Sequence, residues 1–176
     1  QPLEYGQIAP LGWLWLERLM FYLGEGHMTF LRLPALIAGC LSVILFVRFA
    51  FRVMPLSAAY FAIAVFCASY YPMRHSVELK PYAFDLLFSL LLFISSYQLQ
   101  FYRFIAFSFL GLFFSLPSIF VSLGCIFYLF LNNRELRKKL VLFGCALCGC
   151  FLVMYILFLS PHAASASWLK EMDMWK

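Results

Sequence analysis

The sequence predicts an all-α fold, a polytopic bundle of transmembrane helices with a juxtamembrane helix on its outer face. Hydrophobic residues make up 65% of the 176 residues and charged residues only 12%, whereas a soluble domain is about half apolar and a quarter charged. Several apolar runs also approach the roughly 20 residues that cross a bilayer. In lipid such runs must form helices, because unpaired backbone groups cannot be buried there.

The composition excludes other classes of protein. A disordered chain is poor in aromatic residues, but this one has 22 Phe and 10 Tyr. A small soluble domain could not bury so much apolar surface. The net charge of +5 does not indicate a nucleic-acid partner, because the 13 Lys and Arg are scattered between apolar runs.

The chain divides into three predicted parts. Residues 1–28 form an external loop and an interfacial helix, residues 29–160 form the transmembrane bundle, and residues 161–176 begin another external loop. The first residue is Gln1 and no signal-peptide pattern follows it. We therefore expect further chain both before and after this sequence.

Residues 11–24 predict a helix that lies in the membrane interface. The run is short, carries Glu17 and Arg18 in its middle, and ends at Gly24. Trp13 and Trp15 suit an interfacial aromatic belt. The alternative is one half of a span whose start is missing.

Six further apolar runs predict membrane spans. Arg32 and Arg48 bracket the first run, and their long side chains can extend to the two interfaces. The predicted spans lie near residues 29–49, 56–72, 81–99, 102–116, 118–132 and 139–160.

Residues 102–132 are compatible with two arrangements, one kinked helix or a pair of short helices. Pro117 disfavours helix at Leu116. Arg103 precedes the region, and a dense basic cluster at residues 134–139 follows it. Because basic residues favour cytoplasmic loops, the charges favour the pair, which places both ends on one side.

The preference of basic residues for cytoplasmic loops also predicts how the bundle is oriented in the membrane. With the pair, one side of the membrane holds seven basic residues and a single acid, namely Arg48, Arg52, Arg103, Arg134, Arg137, Lys138, Lys139 and Glu135. The other side holds six basic residues, so the count alone is nearly even. The dense cluster at residues 134–139 is the stronger signal, and we expect its side inside the cell. Residues 1–28, 73–80 and 161–176 then face outside.

Polar residues other than Lys and Arg gather on the predicted outer side. They cluster at residues 4–10, 74–85 and 161–176. A membrane enzyme or transporter places its few polar groups where chemistry or transport occurs. This asymmetry predicts an extracytoplasmic site.

The segment 74–85 is the most informative of these clusters. Pro81 suits the first turn of a helix, so the span that follows begins on the outer side with free N–H groups and a positive dipole end. Lys80 and Arg74 add formal positive charge. This environment suits a phosphate at the level of the lipid headgroups.

Four nearby residues carry both a functional and a structural interpretation. Asp85 supports ligand binding, or it forms an ion-paired cap with neighbouring charges. Tyr82 supports binding or belongs to an aromatic belt. His75 is a proton carrier or phosphate donor, or a bystander. Arg32 is a second phosphate contact or an interfacial anchor.

All six cysteines lie in apolar segments. Cys145 and Cys148 form a C-x-x-C pattern, but it falls in the middle of an apolar run with no His nearby. The cysteines are therefore interpreted as small packing residues rather than as zinc or redox groups.

Several segments, taken in order, resemble a known family. They are Gln7-Ile8-Ala9-Pro10-Leu11, Leu23-Gly24-Glu25, Leu31-Arg32-Leu33-Pro34-Ala35-Leu36 and Glu78-Leu79-Lys80-Pro81-Tyr82, with Asp85 three residues on. They are similar to membrane glycosyltransferases of the C-type superfamily, in the bacterial branch akin to protein mannosyltransferases and the lipid A aminoarabinose transferase. Ser115-Leu116-Pro117 resembles a Ser-His-Pro turn of that branch, with Leu116 in place of His.

The resemblance implies transfer of a sugar from a polyprenyl-phosphate donor to a lipid, glycan or protein acceptor outside the cytoplasm. It implies a multi-pass protein of the cytoplasmic (inner) membrane, in contact with membrane lipids. It implies no certain cofactor. The need for a divalent metal ion is left open by the resemblance, and the sequence has no dense cluster of oxygen ligands.

The resemblance also implies roles for residues. The family's catalytic base is an Asp in the first external loop, usually upstream of the segment that matches Gln7. Glu4 is the only acid of that loop here, and Glu4 and Glu78 are the candidate catalytic residues. The candidate contacts to the donor phosphate are Lys80, Arg74, Gln7, Arg32 and His75, with Tyr82 and Asp85 in support.

Two other functions compete with an enzyme. A transporter or flippase of lipid-linked sugars would place charged or broken helices at mid-bilayer, and the predicted spans have few charges at that depth. A non-catalytic assembly subunit would use its polar residues only as ion pairs. Replacing Lys80 by alanine separates these classes, because an enzyme would lose transfer while its fold persists.

Overall fold

The computed structural model describes residues 9–69 and 80–159, with only the backbone of residues 158 and 159. The described residues form helices and no strand, which confirms the predicted all-α class. In order, the helices are α1 Leu11–Leu23, α2 Met28–Val53, α3 Leu56–Ala68, α4 Tyr82–Tyr97, α5 Phe101–Phe114, α6 Ser118–Asn132 and α7 Arg137–Met154, which continues as a π-helical segment Tyr155–Leu159.

Prolines mark the starts of several helices. Pro10, Pro55, Pro81 and Pro117 each occupy the position just before the first residue of α1, α3, α4 and α6. Proline fits a helix start because its missing N–H has no partner there in any case. Pro55 also explains why α2 ends at Val53, since the residue before a proline avoids the helical region and Met54 is extended. The helix thus runs past the predicted end near residue 49.

Helices α2 and α4 run side by side in the same direction. At their starts, Ala35 and Ala38 of α2 pack with Ala83 and Leu87 of α4 in one buried cluster. Near their ends, the rings of Phe49 and Tyr97 lie 5.7 Å apart. The small alanine side chains allow the two backbones to approach closely.

Helices α5 and α6 form an antiparallel hairpin that turns at residues 115–117. The Ser122 hydroxyl donates a hydrogen bond to the Ser108 hydroxyl at 3.2 Å, seven residues on either side of Ser115. Of the two arrangements considered for residues 102–132, the pair of short helices is confirmed. Helix α7 packs on this hairpin through Leu140, Phe143 and Leu147.

The alternation of helix directions sorts the turns into two ends of the bundle. The upper end holds the starts of α2 and α4 and the turn at residues 115–117, because Phe84 stacks on Phe114 at 5.5 Å. The basic end holds the turns at 54–55, 98–100 and 133–136. This grouping of described loops agrees with the grouping that the sequence predicts.

Among the described helices, two are long and apolar enough to cross a membrane, namely Met28–Val53 and Arg137–Leu157. In each, only 22% of the apolar window is buried inside the molecule, whereas the core helix of a soluble protein is mostly buried. Helices α3 to α6 are apolar but shorter, with 13 to 16 residues. These features support association with a membrane.

Candidate functional site

Helix α1 packs across the upper end of the bundle. The Trp13 side chain is only 2% exposed, and its ring meets the ring of Phe84 edge to face at 5.5 Å. Gly12 permits a close approach to α5, because a Cβ at that position would lie 2.8 Å from the carbonyl oxygen of Phe113. The prediction that Trp13 belongs to an aromatic belt is therefore wrong. Trp15, on the opposite face of α1, is 71% exposed.

Glu17 lies one turn after Trp13 on the same face of α1. Burial raises the pKa of the Glu17 carboxyl above its ordinary value, and the neighbouring Trp13 indole opposes this shift only in part. The oxygen Oε1 is buried and has no hydrogen-bond partner within residues 9–69 and 80–159. Glu17 is therefore a carboxyl that faces the protein rather than the surroundings, as acids in apolar segments generally do.

The start of α4 presents a cation beside an aromatic ring. Lys80 is half-buried, and its Nζ lies 5.6 Å from the ring centre of Tyr82. The carbonyl of Pro81 accepts hydrogen bonds from the N–H groups of Phe84 and Asp85 at 2.9 and 3.3 Å. The side chain of Pro81 makes no capping hydrogen bond, and the dipole of α4 places partial positive charge at this end of the helix.

Asp85 and Arg32 differ in their surroundings. Asp85 is half-buried in the first turn of α4, and its backbone carbonyl accepts a hydrogen bond from the Ser89 hydroxyl at 2.7 Å. Arg32 lies in the second turn of α2 with an exposed side chain. Both residues lie at the upper end.

A stack of phenylalanine rings supports the start of α4. Phe84, Phe88 and Phe114 have ring centres 5.5 to 6.5 Å apart and nearly parallel planes. Ser115 follows directly, and its hydroxyl is buried with no hydrogen-bond partner in the described part of the chain. Apolar packing, rather than a polar network, therefore fixes the start of α4 relative to the α5–α6 turn.

The other predicted site residues lie outside the described residues. They are Glu4, Gln7, Arg74, His75 and Glu78. The structure thus brings together Lys80, Tyr82 and Asp85, and it adds Glu17 to the same end of the molecule. The sequence places Glu17 on the same face of α1 as Trp13, four residues earlier, but it does not show which face of α1 packs on the bundle.

Metal-ligating side chains do not gather in the described ranges. No group of three or more His, Cys, Asp or Glu occurs there. Cys145 and Cys148 are both free and exposed on α7.

Comparison with protein-family models, with curated proteins and with solved structures finds no match to this chain.

Proposed function

We propose that this protein is an integral-membrane glycosyltransferase of the inner membrane. It transfers a sugar from a polyprenyl-phosphate donor to an acceptor on the extracytoplasmic side. The observation that carries the proposal is the position of Lys80, half-buried over Tyr82 at the start of α4. Helix α1, with the carboxyl of Glu17, packs beside it through Trp13 and Phe84.

The proposal includes a multi-pass arrangement in which α2 to α7 cross the bilayer and α1 lies at the outer interface. Exposed apolar side chains support it, since Phe61, Phe120 and Leu142 are 74%, 74% and 75% exposed. A soluble monomer rarely exposes large apolar surface. A helix of 16 residues such as α4 is about 24 Å long, so the bilayer thins locally or the end residues extend to the interface.

The chemistry at the upper end follows from its charges. The Lys80 ammonium and the positive dipole end of α4 hold the donor phosphate. A carboxylate takes the proton of the acceptor hydroxyl. At the same time the oxygen of that hydroxyl forms the new bond to the sugar carbon. The bond from that carbon to the phosphate oxygen breaks, and the cation stabilises the charge that develops on the leaving phosphate.

Several residues are candidates for the base and for the phosphate contacts of this scheme. Glu4 and Glu78 remain the candidates for the base, together with an Asp of the first external loop that the resemblance implies. Glu17 lies at the same end of the molecule, but its oxygen Oε1 is buried, so we assign it no contact with the sugar. Arg74, Gln7, His75 and Arg32 remain candidate phosphate contacts.

Transfer from a radiolabelled polyprenyl-phosphate sugar by the membrane-embedded protein tests the proposal. The variant Lys80→Ala should lose transfer by about 100-fold while its thermal unfolding stays unchanged. Lys139→Ala is the matched control, because it removes the same charge at the basic end. Full transfer by Lys80→Ala would contradict the phosphate site. Movement of the donor across the membrane without transfer would favour the transporter.

A further inference from the structure

A second candidate site lies at the basic end, far from Lys80. An open groove of about 470 Å³ runs between the end of α6 and the start of α7. Its lining comprises Phe130, Arg137, Lys138, Val141, Leu142 and Cys145. The groove combines two cations with an apolar wall, and none of its residues takes part in the proposed transfer.

Arg137 is held in place within this groove. Its Nε donates a hydrogen bond to the carbonyl of Phe130 at 3.0 Å, and its guanidinium carbon lies 5.0 Å from the centre of the Phe130 ring. An arginine has five N–H donors, so four remain on the two terminal nitrogens. Within the described ranges these donors have no carboxylate partner. The planar guanidinium can donate to two oxygens of one phosphate at the same time.

The cations and the apolar wall share one side of α7. Val141 follows Arg137 by four residues, and Leu142 follows Lys138 by four, so each apolar side chain lies one turn below a cation. Val141 and Leu142 are 53% and 75% exposed. A free phosphate would use only the cations, whereas a lipid would also cover the apolar wall with an acyl chain.

We infer that this groove binds an anionic phospholipid, with its phosphate on Arg137 and Lys138 and an acyl chain along Val141 and Leu142. Charge complementarity selects this occupant, because residues 134–139 carry four basic side chains and one acid. A basic cluster next to an apolar helix attracts anionic lipids of the adjoining leaflet. The inference uses the membrane placement proposed above, but it is independent of sugar transfer.

Native mass spectrometry of the detergent-purified protein, mixed with phosphatidylglycerol or phosphatidylcholine, tests the site. Phosphatidylglycerol should be retained in preference to phosphatidylcholine. Lys138→Ala should weaken its retention about fivefold, the effect of one cation near a lipid surface. Lys139→Ala, which removes an adjacent exposed charge outside the groove, should change retention less than about twofold.

The apolar wall provides a second variant. Leu142→Asn keeps every charge and should still reduce phosphatidylglycerol retention, while binding of inorganic phosphate should be unchanged. Equal effects of Lys138→Ala and Lys139→Ala would overturn the site, because they would indicate general attraction by charge. The site would also be overturned if the protein retained polyglutamate and Lys138→Ala reduced that retention more than Lys139→Ala did. Such a result would point to an acidic protein partner.

Discussion

The indole of Trp13 lies edge to face against the ring of Phe84, with ring centres 5.5 Å apart. This contact joins α1 to the first turn of α4, which begins at Tyr82, two residues after Lys80. It therefore couples the position of Glu17 to the position of the proposed phosphate site. Loss of the contact should disturb both.

Trp13→Ala should destabilise the protein by about 3–5 kcal/mol, the range for removing a fully buried Trp. Thermal unfolding in detergent measures the loss. Trp15→Ala is the matched control, because Trp15 lies on the same helix but is 71% exposed. Equal losses for the two variants would contradict the described packing of α1.

Glu17→Gln should remove a dependence of stability on pH. Burial raises the pKa of Glu17 above its ordinary value of 4.5, so its contribution to stability is fully present below pH 4.5. That contribution is lost as the pH rises through the raised pKa of the folded state, because the fold disfavours the ionised form. The Gln variant should lack this decline and should be the more stable protein at neutral pH.

Chemical unfolding between pH 4 and pH 8 compares the wild type with Glu17→Gln. Glu25→Gln provides the control, since Glu25 is exposed in the turn after α1. Parallel stability curves for the wild type and Glu17→Gln would show that the carboxyl of Glu17 is not desolvated.

Gly111→Ala should loosen the hairpin of α5 and α6. A Cβ at Gly111 would lie 2.7 Å from the hydroxyl oxygen of Ser118 and 3.0 Å from its Cβ. Such overpacking costs about 1–3 kcal/mol. At Gly124 a Cβ would meet nothing within 4 Å, so Gly124→Ala should be neutral or stabilising by up to about 1 kcal/mol.

Thermal unfolding of the two glycine variants checks this difference. A stabilised Gly111→Ala would mean that Ser118 moves aside easily and that the turn is less tightly packed. A destabilised Gly124→Ala would mean that the open face of α6 is covered in the folded protein.

The sequence predicts the helices well because prolines and charges mark their ends. Pro10, Pro55, Pro81 and Pro117 precede four helix starts. The pair of helices around Pro117 follows from charge, since Arg103 and the cluster at 134–139 must lie at the same end. These signals are local, so a single sequence is enough to detect them.

The face of a helix that packs on its neighbours is harder to predict when the helix is apolar all round. Trp13 and Trp15 lie two residues apart and so point about 200° away from each other around α1. Nothing in the local sequence says which of them is buried. For the same reason the composition of α1 does not show that Glu17 faces the bundle. Long-range packing decides both.

The sidedness of the upper and basic ends is the claim on which the proposed function depends. Labelling of intact cells with a membrane-impermeant thiol reagent tests it, with single cysteines introduced into a cysteine-free protein. Arg18→Cys, on the exposed face of α1, should be labelled, and Lys138→Cys at the basic end should be labelled only after the cells are lysed. Labelling of position 138 but not of position 18 in intact cells would contradict an extracytoplasmic site.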